Sequence, residues 1–236
     1  MTDTMTLTTT DTGKSYAWKY ADLKRAAEKM HGPEPPPTAL ERQDGNPYLT
    51  RYLHMTKRTE KAVTSGASIT GACERYDRRH EMIKVFSWAI PNAAAIRLLR
   101  QHSPLIEIGA GTGYWAWMIE QAGGTVLAYD SWQSHFKTET RWMRVKRGGP
   151  AMIKYHPGAV LFLCWPPFNE PMAYTCLKNY SGEFFLYEGE GEYGCTGDTA
   201  FHDELDAHWK LKRTVAVPKW SMIHDALFLY QRNGKG

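Results

Sequence analysis

The stretch Leu105-Ile106-Glu107-Ile108-Gly109-Ala110-Gly111-Thr112-Gly113-Tyr114 restricts this chain more than any other. A short apolar run meets three glycines at alternate positions. A helical pattern, Tyr114–Gln121, follows and runs out at Gly123-Gly124, where glycine suits a helix C-cap. Glycine is required because the turn is tight and a ligand must approach the backbone closely. The helix that follows opens with N–H groups lacking intrahelical partners. A second apolar run, Thr125–Tyr129, then delivers Asp130. An acid at that strand end can accept hydrogen bonds from both hydroxyls of a ribose. Strand, glycine turn, helix, strand and acid form one parallel α/β unit.

The same alternation continues to the end of the chain. Pro91–Gln101 reads as a helix stopped at Pro104. Arg141–Val145 is the expected third strand and Pro150–Tyr155 a short helix. Ala159–Cys164 is a fully apolar fourth strand ended by Pro166-Pro167. After it come a helix at Pro171–Asn179, a strand at Glu183–Glu188 and a helix at Thr199–His208. The last two strands, Trp209–Val217 and Asp225–Gln231, have only a loop between them, which predicts antiparallel pairing at one edge. The expected architecture is a Rossmann-like, doubly wound α/β fold. Its mostly parallel seven-stranded sheet has an antiparallel last strand and is covered on both faces. Residues 1–13 are polar, Thr-rich and read as a disordered tail. Residues 14–86 read as a helical N-terminal extension. Its helices are expected at Ser15–Met30, Thr50–Thr64 and Ala72–Phe86, with an extended linker at GPEPPPT, residues 32–38. Residues 87–236 form the main domain.

Composition removes several classes. The longest uninterrupted apolar run is Ala159–Trp165, far short of the roughly 18 residues a membrane span needs. No apolar segment at the N-terminus resembles a secretory signal. The four cysteines, at 73, 164, 176 and 195, form no CxxC pair and have no zinc-site spacing. They read as free thiols in a reducing cytoplasm. No histidine motif suggests a metal. Charge is lopsided: residues 1–100 hold 16 Lys and Arg against 11 Asp and Glu, and the remainder 13 against 14. That is a mild pointer to an anionic partner, DNA or RNA, held by the basic N-terminal part. The 9 Trp, 13 Tyr and 8 Phe are equally open to core packing and to stacking on a flat ligand.

A dinucleotide loop would place its third glycine where Tyr114 stands, and a phosphate would not favour Glu107 beside it. The observed spacing, with Glu107 two residues before the first glycine, resembles the first motif of class I S-adenosylmethionine (SAM)-dependent methyltransferases. That resemblance implies that Glu107 faces the methionine end of SAM. Gly109, Ala110, Gly111 and Gly113 let it approach, Tyr114 lies beside it, and Asp130 holds its ribose. Ser131 and Trp132 stand where the family places residues against the adenine. The order of elements over Ser87–Arg232 is that of the same class.

A second stretch, Leu163-Cys164-Trp165-Pro166-Pro167-Phe168-Asn169-Glu170, resembles the (Asp/Asn/Ser)-Pro-Pro-aromatic motif of methyltransferases acting on exocyclic amines of adenine or cytosine. The resemblance implies that the prolines present a carbonyl to the acceptor amine while Phe168 stacks on its ring. Trp165 departs from the pattern, because an indole only donates. The missing acceptor must then come from elsewhere, and Asn169 and Glu170 are nearest in sequence. The expected function is methyl transfer to an amine of a planar substrate, a nucleic-acid base first. A small molecule, a protein side chain and a non-catalytic SAM-fold module are the rivals. Glu188-Gly189-Glu190-Gly191-Glu192 reads as a solvated acidic loop, and His224 as a structural residue.

Overall fold

The protein is described by a computed structural model over residues 45–64, 71–131, 140–191 and 194–234. The expected tail, the helix at Ser15–Met30, the linker at 32–38 and Trp132 lie outside those residues. Two helices, α1 (Pro47–Thr64) and α2 (Gly71–Val85), precede the sheet. Then follow α3 (Ala93–Gln101), β1 (Leu105–Ile108), α4 (Tyr114–Gln121), β2 (Val126–Asp130), β3 (Lys146–Arg147) and a 3₁₀ turn at Pro150–Tyr155. The chain ends with β4 (Val160–Cys164), α5 (Met172–Asn179), β5 (Phe184–Gly189), α6 (Thr199–His208), β6 (Trp209–Ala216) and β7 (Ala226–Arg232). Among the described residues, no helix is long and apolar enough to cross a membrane.

Helix starts follow from their caps. The Asn92 side chain accepts from Ala95 N–H at 2.9 Å, and its amide donates to the Ala216 carbonyl, tying α3 to β6. Asp198 caps α6 by accepting from Phe201 N–H at 3.0 Å. By contrast, α4 starts at Gly113, which is left-handed and offers no side-chain cap.

The seven strands lie in the order β3-β2-β1-β4-β5-β7-β6. β1 pairs in parallel with both β2 and β4, β2 with β3, and β4 with β5. β7 runs antiparallel to both β5 and β6. This is the doubly wound, mostly parallel sheet expected. The chain moves outward in opposite directions from β1, so the crevice at the carboxyl ends of β1 and β4 is the switch point where such sheets take ligands.

The third strand differs from expectation. Arg141–Val145 is not in the ladder; the pairing residues are Lys146 and Arg147, opposite Tyr129 and Asp130. Trp142 supplies the reason. Its backbone N–H donates to Thr112 O at 2.9 Å and its indole to Val85 O at 2.7 Å. Its ring packs against Phe86, Tyr114 and Trp117, so that segment folds under the glycine loop and not along β2.

Each sheet face carries its own core because successive strand residues alternate sides. One face packs Ile106, Leu161, Leu163 and Phe185 against Ala173, Leu177 and Phe201. On the other, Leu105, Phe162, Leu186 and Leu227 share a core with α3, α4 and the N-terminal helices. Tyr48, Met82, Val85 and Phe86 belong to that core as fully as Leu105 does. Tyr114 cements the junction: its hydroxyl accepts from Tyr48 N–H at 3.1 Å and donates to Asn46 Oδ1 at 2.9 Å.

Candidate functional site

Strand register brings the polar groups together. Glu107 lies opposite Ala128 on β2 and Phe162 on β4. Two residues further along each neighbour stand Asp130 and Cys164, and Cys164 lies opposite Glu188 on β5. Glu188 in turn faces Leu227, two residues after Asp225. Side chains two apart share a face. Asp130, Glu107, Cys164, Glu188 and Asp225 therefore form one row along the same end of the same face.

The glycine loop closes over that row. Gly109, Gly111 and Gly113 have φ of +81°, +55° and +77°, a region that strains other residues. The Gly109 and Ala110 N–H groups both donate to Tyr129 O, and Gly111 N–H donates to Asp130 Oδ2 at 2.8 Å. A side chain on Gly111 would meet nothing within 4 Å, so the loop's backbone faces open space there. Beside it lies a cleft of about 480 Å³, its open mouth included. Glu107, the loop from Gly109 to Thr112, Trp115 and Cys164 form one side, and Ile83, Lys84, Phe86, Ser87 and Trp88 supply the other. The Thr112 hydroxyl donates to Phe86 O, and the Trp115 indole to Ala89 O, fixing the two walls together.

Glu107 is 1% exposed. Its carboxyl accepts the Ala116 N–H, at the start of α4, and its Oε2 has no partner. Burial, and then the neighbouring Asp130 charge, push it up to about 8 against the opposing pull of that N–H. A buried carboxyl with an unused oxygen at a cleft wall calls for a cationic donor. Arg141 lies within electrostatic reach of Asp130, and Ser131 is exposed just beyond it.

Several expected site residues stand elsewhere. The Tyr114 side chain does not line the cleft. It is buried among Tyr48, Phe86, Trp117 and Trp142. Only Cys164 of the second motif stretch lines the cleft. Pro166 O already accepts Gly197 N–H at 3.1 Å, and Asn169 N–H donates to Gly197 O. The carbonyl expected to meet an acceptor amine thus bonds to the chain itself. Phe168 is 55% exposed, and Asn169 and Glu170 are exposed with it, because the turn at Asn169 (φ +56°) carries them outward. Trp165 (φ +50°) points inward. Its indole donates to Asp225 Oδ2 at 3.1 Å, and its ring stacks on Trp88 at 5.4 Å and 13°.

The buried acceptors near Trp165 are Asp225 and Glu188, at 2% and 0% exposure. Burial raises both, Glu188 well above its ordinary value; for Glu188 the Asp225 charge is the next cause. Cys164 Sγ donates to Glu188 Oε2 at 3.5 Å. Glu190, also buried, accepts the backbone N–H groups of Cys195 and His224 and pins the loop. Glu188 and Glu190 are therefore not a solvated loop. The signal was in phase: Glu188 alternates with Phe184 and Leu186, and Asp225 with Leu227 and Leu229, so each acid points where core residues point. Among the described residues no cluster suits a metal ion.

No protein-family model matches the chain, and no curated protein does. Among solved structures, a candidate methyltransferase from Streptococcus mutans (SMU.1697c) in complex with SAH aligns at 11% identity with a TM-score of 0.34. The alignment covers 59% of this chain and 95% of that one. A point mutant of MtNAS aligns at 12% identity with a TM-score of 0.38, over 94% of this chain and 90% of its own.

Proposed function

We propose that the chain is a SAM-dependent methyltransferase acting on an amine nitrogen of a planar acceptor. Glu107 carries this reading. A buried carboxyl with one oxygen unused, beside a glycine loop and in line with Asp130, matches the ammonium and ribose of SAM. The residues present fit that cofactor. Glu107 Oε2 suits the ammonium, Asp130 suits the ribose diol, and the open backbone at Gly111 admits a close neighbour. The bound cofactor supplies a methyl group already activated by positive sulfur, so orientation and water exclusion matter more than a strong base. Gly111 N–H holds the Asp130 carboxylate in place, and Ala116 N–H holds Glu107. Trp115 and Trp88 wall the cleft with apolar surface.

The acceptor suggested by the Pro166-Pro167-Phe168 motif is a nucleic-acid base, gripped through the basic N-terminal part. Against it, the row of buried carboxylates favours a cationic acceptor over one carried on phosphates. Calorimetry with SAM and its demethylated product, SAH, tests the cofactor: binding of either is expected, and heat from neither sinks the proposal. Tritiated-methyl transfer into DNA, RNA, protein and small-molecule fractions then identifies the acceptor. Label absent from nucleic acid removes the base.

A further inference from the structure

We propose that the stacked Trp88 and Trp165, together with Glu188 and Asp225, form an acceptor subsite for a planar cation of the guanidinium or amidinium kind. For its place in a reaction this rests on the methyltransferase reading; the binding claim stands without it.

Arg79, on α2, shows what the ring pair accepts. Its side chain is buried, at 3% residue exposure. The guanidinium lies 4.5 Å from the Trp165 ring centre and 5.3 Å from that of Trp88. One terminal nitrogen donates to Trp88 O at 3.2 Å. A flat cation thus already sits on these indoles, whose faces attract positive charge.

The carboxylates beside it are not satisfied by that arrangement. The Arg79 charge reaches both Glu188 and Asp225, yet among the described residues no hydrogen bond or ion pair joins it to either. Glu188 Oε1, Asp225 Oδ1 and Arg79 Nε are all buried without a partner. Native interiors seldom leave acceptors unpaired, and Glu188 Oε1 and Asp225 Oδ1 call for a donor that Arg79 does not supply. The second oxygen of each acid is already used, Asp225 Oδ2 by the Trp165 indole and Glu188 Oε2 by the Cys164 thiol. What remains is Glu188 Oε1 and Asp225 Oδ1, on two acids close enough to hydrogen-bond each other, beside aromatic faces. A guest with several N–H donors in one plane satisfies both oxygens while keeping a face on the rings. A phosphate and a tetraalkylammonium both lack the N–H donors that these oxygens need. Trp88 and Cys164 also line the cleft beside the glycine loop, which places the buried acids next to the expected methyl donor. Arg79 holds the ring platform until the guest arrives.

The test is calorimetric titration of methylguanidinium chloride into the full chain without cofactor. Binding to the wild type is expected. Glu188→Gln combined with Asp225→Asn, which keeps size and shape, should weaken it by about tenfold or more, since two charge-assisted hydrogen bonds are lost. Tetramethylammonium should bind at least about tenfold more weakly. Arg79→Ala should tighten methylguanidinium binding by vacating the platform; if that variant does not fold, the wild type and the acid variant decide. Binding unchanged in the acid variant overturns the proposal, as does no binding to the wild type or tighter binding of cytidine than of methylguanidinium. SAM titrated into the same samples separates the two readings. SAM binding without methylguanidinium binding defeats the subsite alone, and the converse defeats the methyltransferase alone.

Discussion

Glu107 keeps a carboxyl group out of water with one oxygen unpaired, and burial holds it near 8. An unfolded glutamate titrates near 4.3. Between those values the folded chain carries a proton that the unfolded chain has released. This group's contribution is therefore fully present below about 4 and is lost as pH rises through about 8. Holding a carboxyl one pH unit higher in the folded chain than in the unfolded one costs about 1.4 kcal/mol once both are ionised, an upper bound for a site that can relax. Glu107→Gln keeps an acceptor for Ala116 N–H and removes the titration. The variant should match the wild type near pH 5 and melt several degrees higher at pH 8, by scanning calorimetry. Parallel pH profiles for the two proteins would refute this. SAM affinity should move the other way, falling about tenfold or more, because a neutral amide loses the charge that meets an ammonium. Stability surrendered for a binding group is the usual sign of a site. Asp130→Ala should likewise weaken SAM binding; an unchanged affinity in calorimetry would remove Asp130 from the ribose site.

The glycine loop shows two demands on one element. Gly113 and Gly111 are both left-handed, so alanine costs roughly 1 kcal/mol or more at either. At Gly113 an added Cβ also lies 2.8 Å from Val145 Cγ2 and 3.0 Å from Met143 Cγ, on the segment that Trp142 anchors. At Gly111 it meets nothing. Gly113→Ala should therefore be the more destabilising by about 1–2 kcal/mol in urea unfolding. Gly111→Ala should instead lose SAM affinity, since its Cβ enters the space left for the ligand. Equal effects on both properties would show that the loop is only a turn. Elements punctuated by glycine or proline were legible from sequence. β1, α4, the 3₁₀ turn and α6 occupy the predicted residues: glycines bound β1 and α4, Pro150 opens the 3₁₀ turn and Asp198 caps α6. β3 was not legible: two exposed basic residues carry no periodicity, and apolar Trp142 nearby is buried by packing. At the site, the loop and the acids beside it were visible as local pattern. Glu188 and Asp225 were visible only as phase, each in step with core residues of the adjoining strand. Glycines around Glu188 imitate a solvated loop.

Across the whole molecule, the helices before the sheet complete both its core and its cleft. Phe86 O receives the Thr112 hydroxyl, Val85 O receives the Trp142 indole, and Tyr48 stacks on Phe86 at 4.8 Å and meets Tyr114 edge-on. Removing residues 1–86 would uncover Tyr114 and Trp142 and take away the acceptor of the Trp142 indole. An aromatic side chain hides about 150–250 Å². Two of them re-exposed cost roughly 7–12 kcal/mol at about 25 cal/mol per Å², as much as a typical domain's whole stability of about 5–15 kcal/mol. The fragment 87–236 is therefore expected to lack a fixed core, although it contains every strand and the glycine loop. Near-ultraviolet circular dichroism and calorimetry with SAM measure this: a weak aromatic signal, a broad melt and no SAM binding are expected. A sharp melt with SAM affinity retained would make the N-terminal helices a separable appendage. In that case Ile83, Lys84 and Phe86 could not be a required wall of the cleft. Tyr48→Ala in the full chain probes the same junction more gently. It removes one ring and the hydroxyl that accepts from the Trp220 indole at 3.0 Å. It should cost about 3–5 kcal/mol while leaving Glu107, Asp130 and the glycine loop untouched, so lost SAM binding there would report on assembly of the cleft.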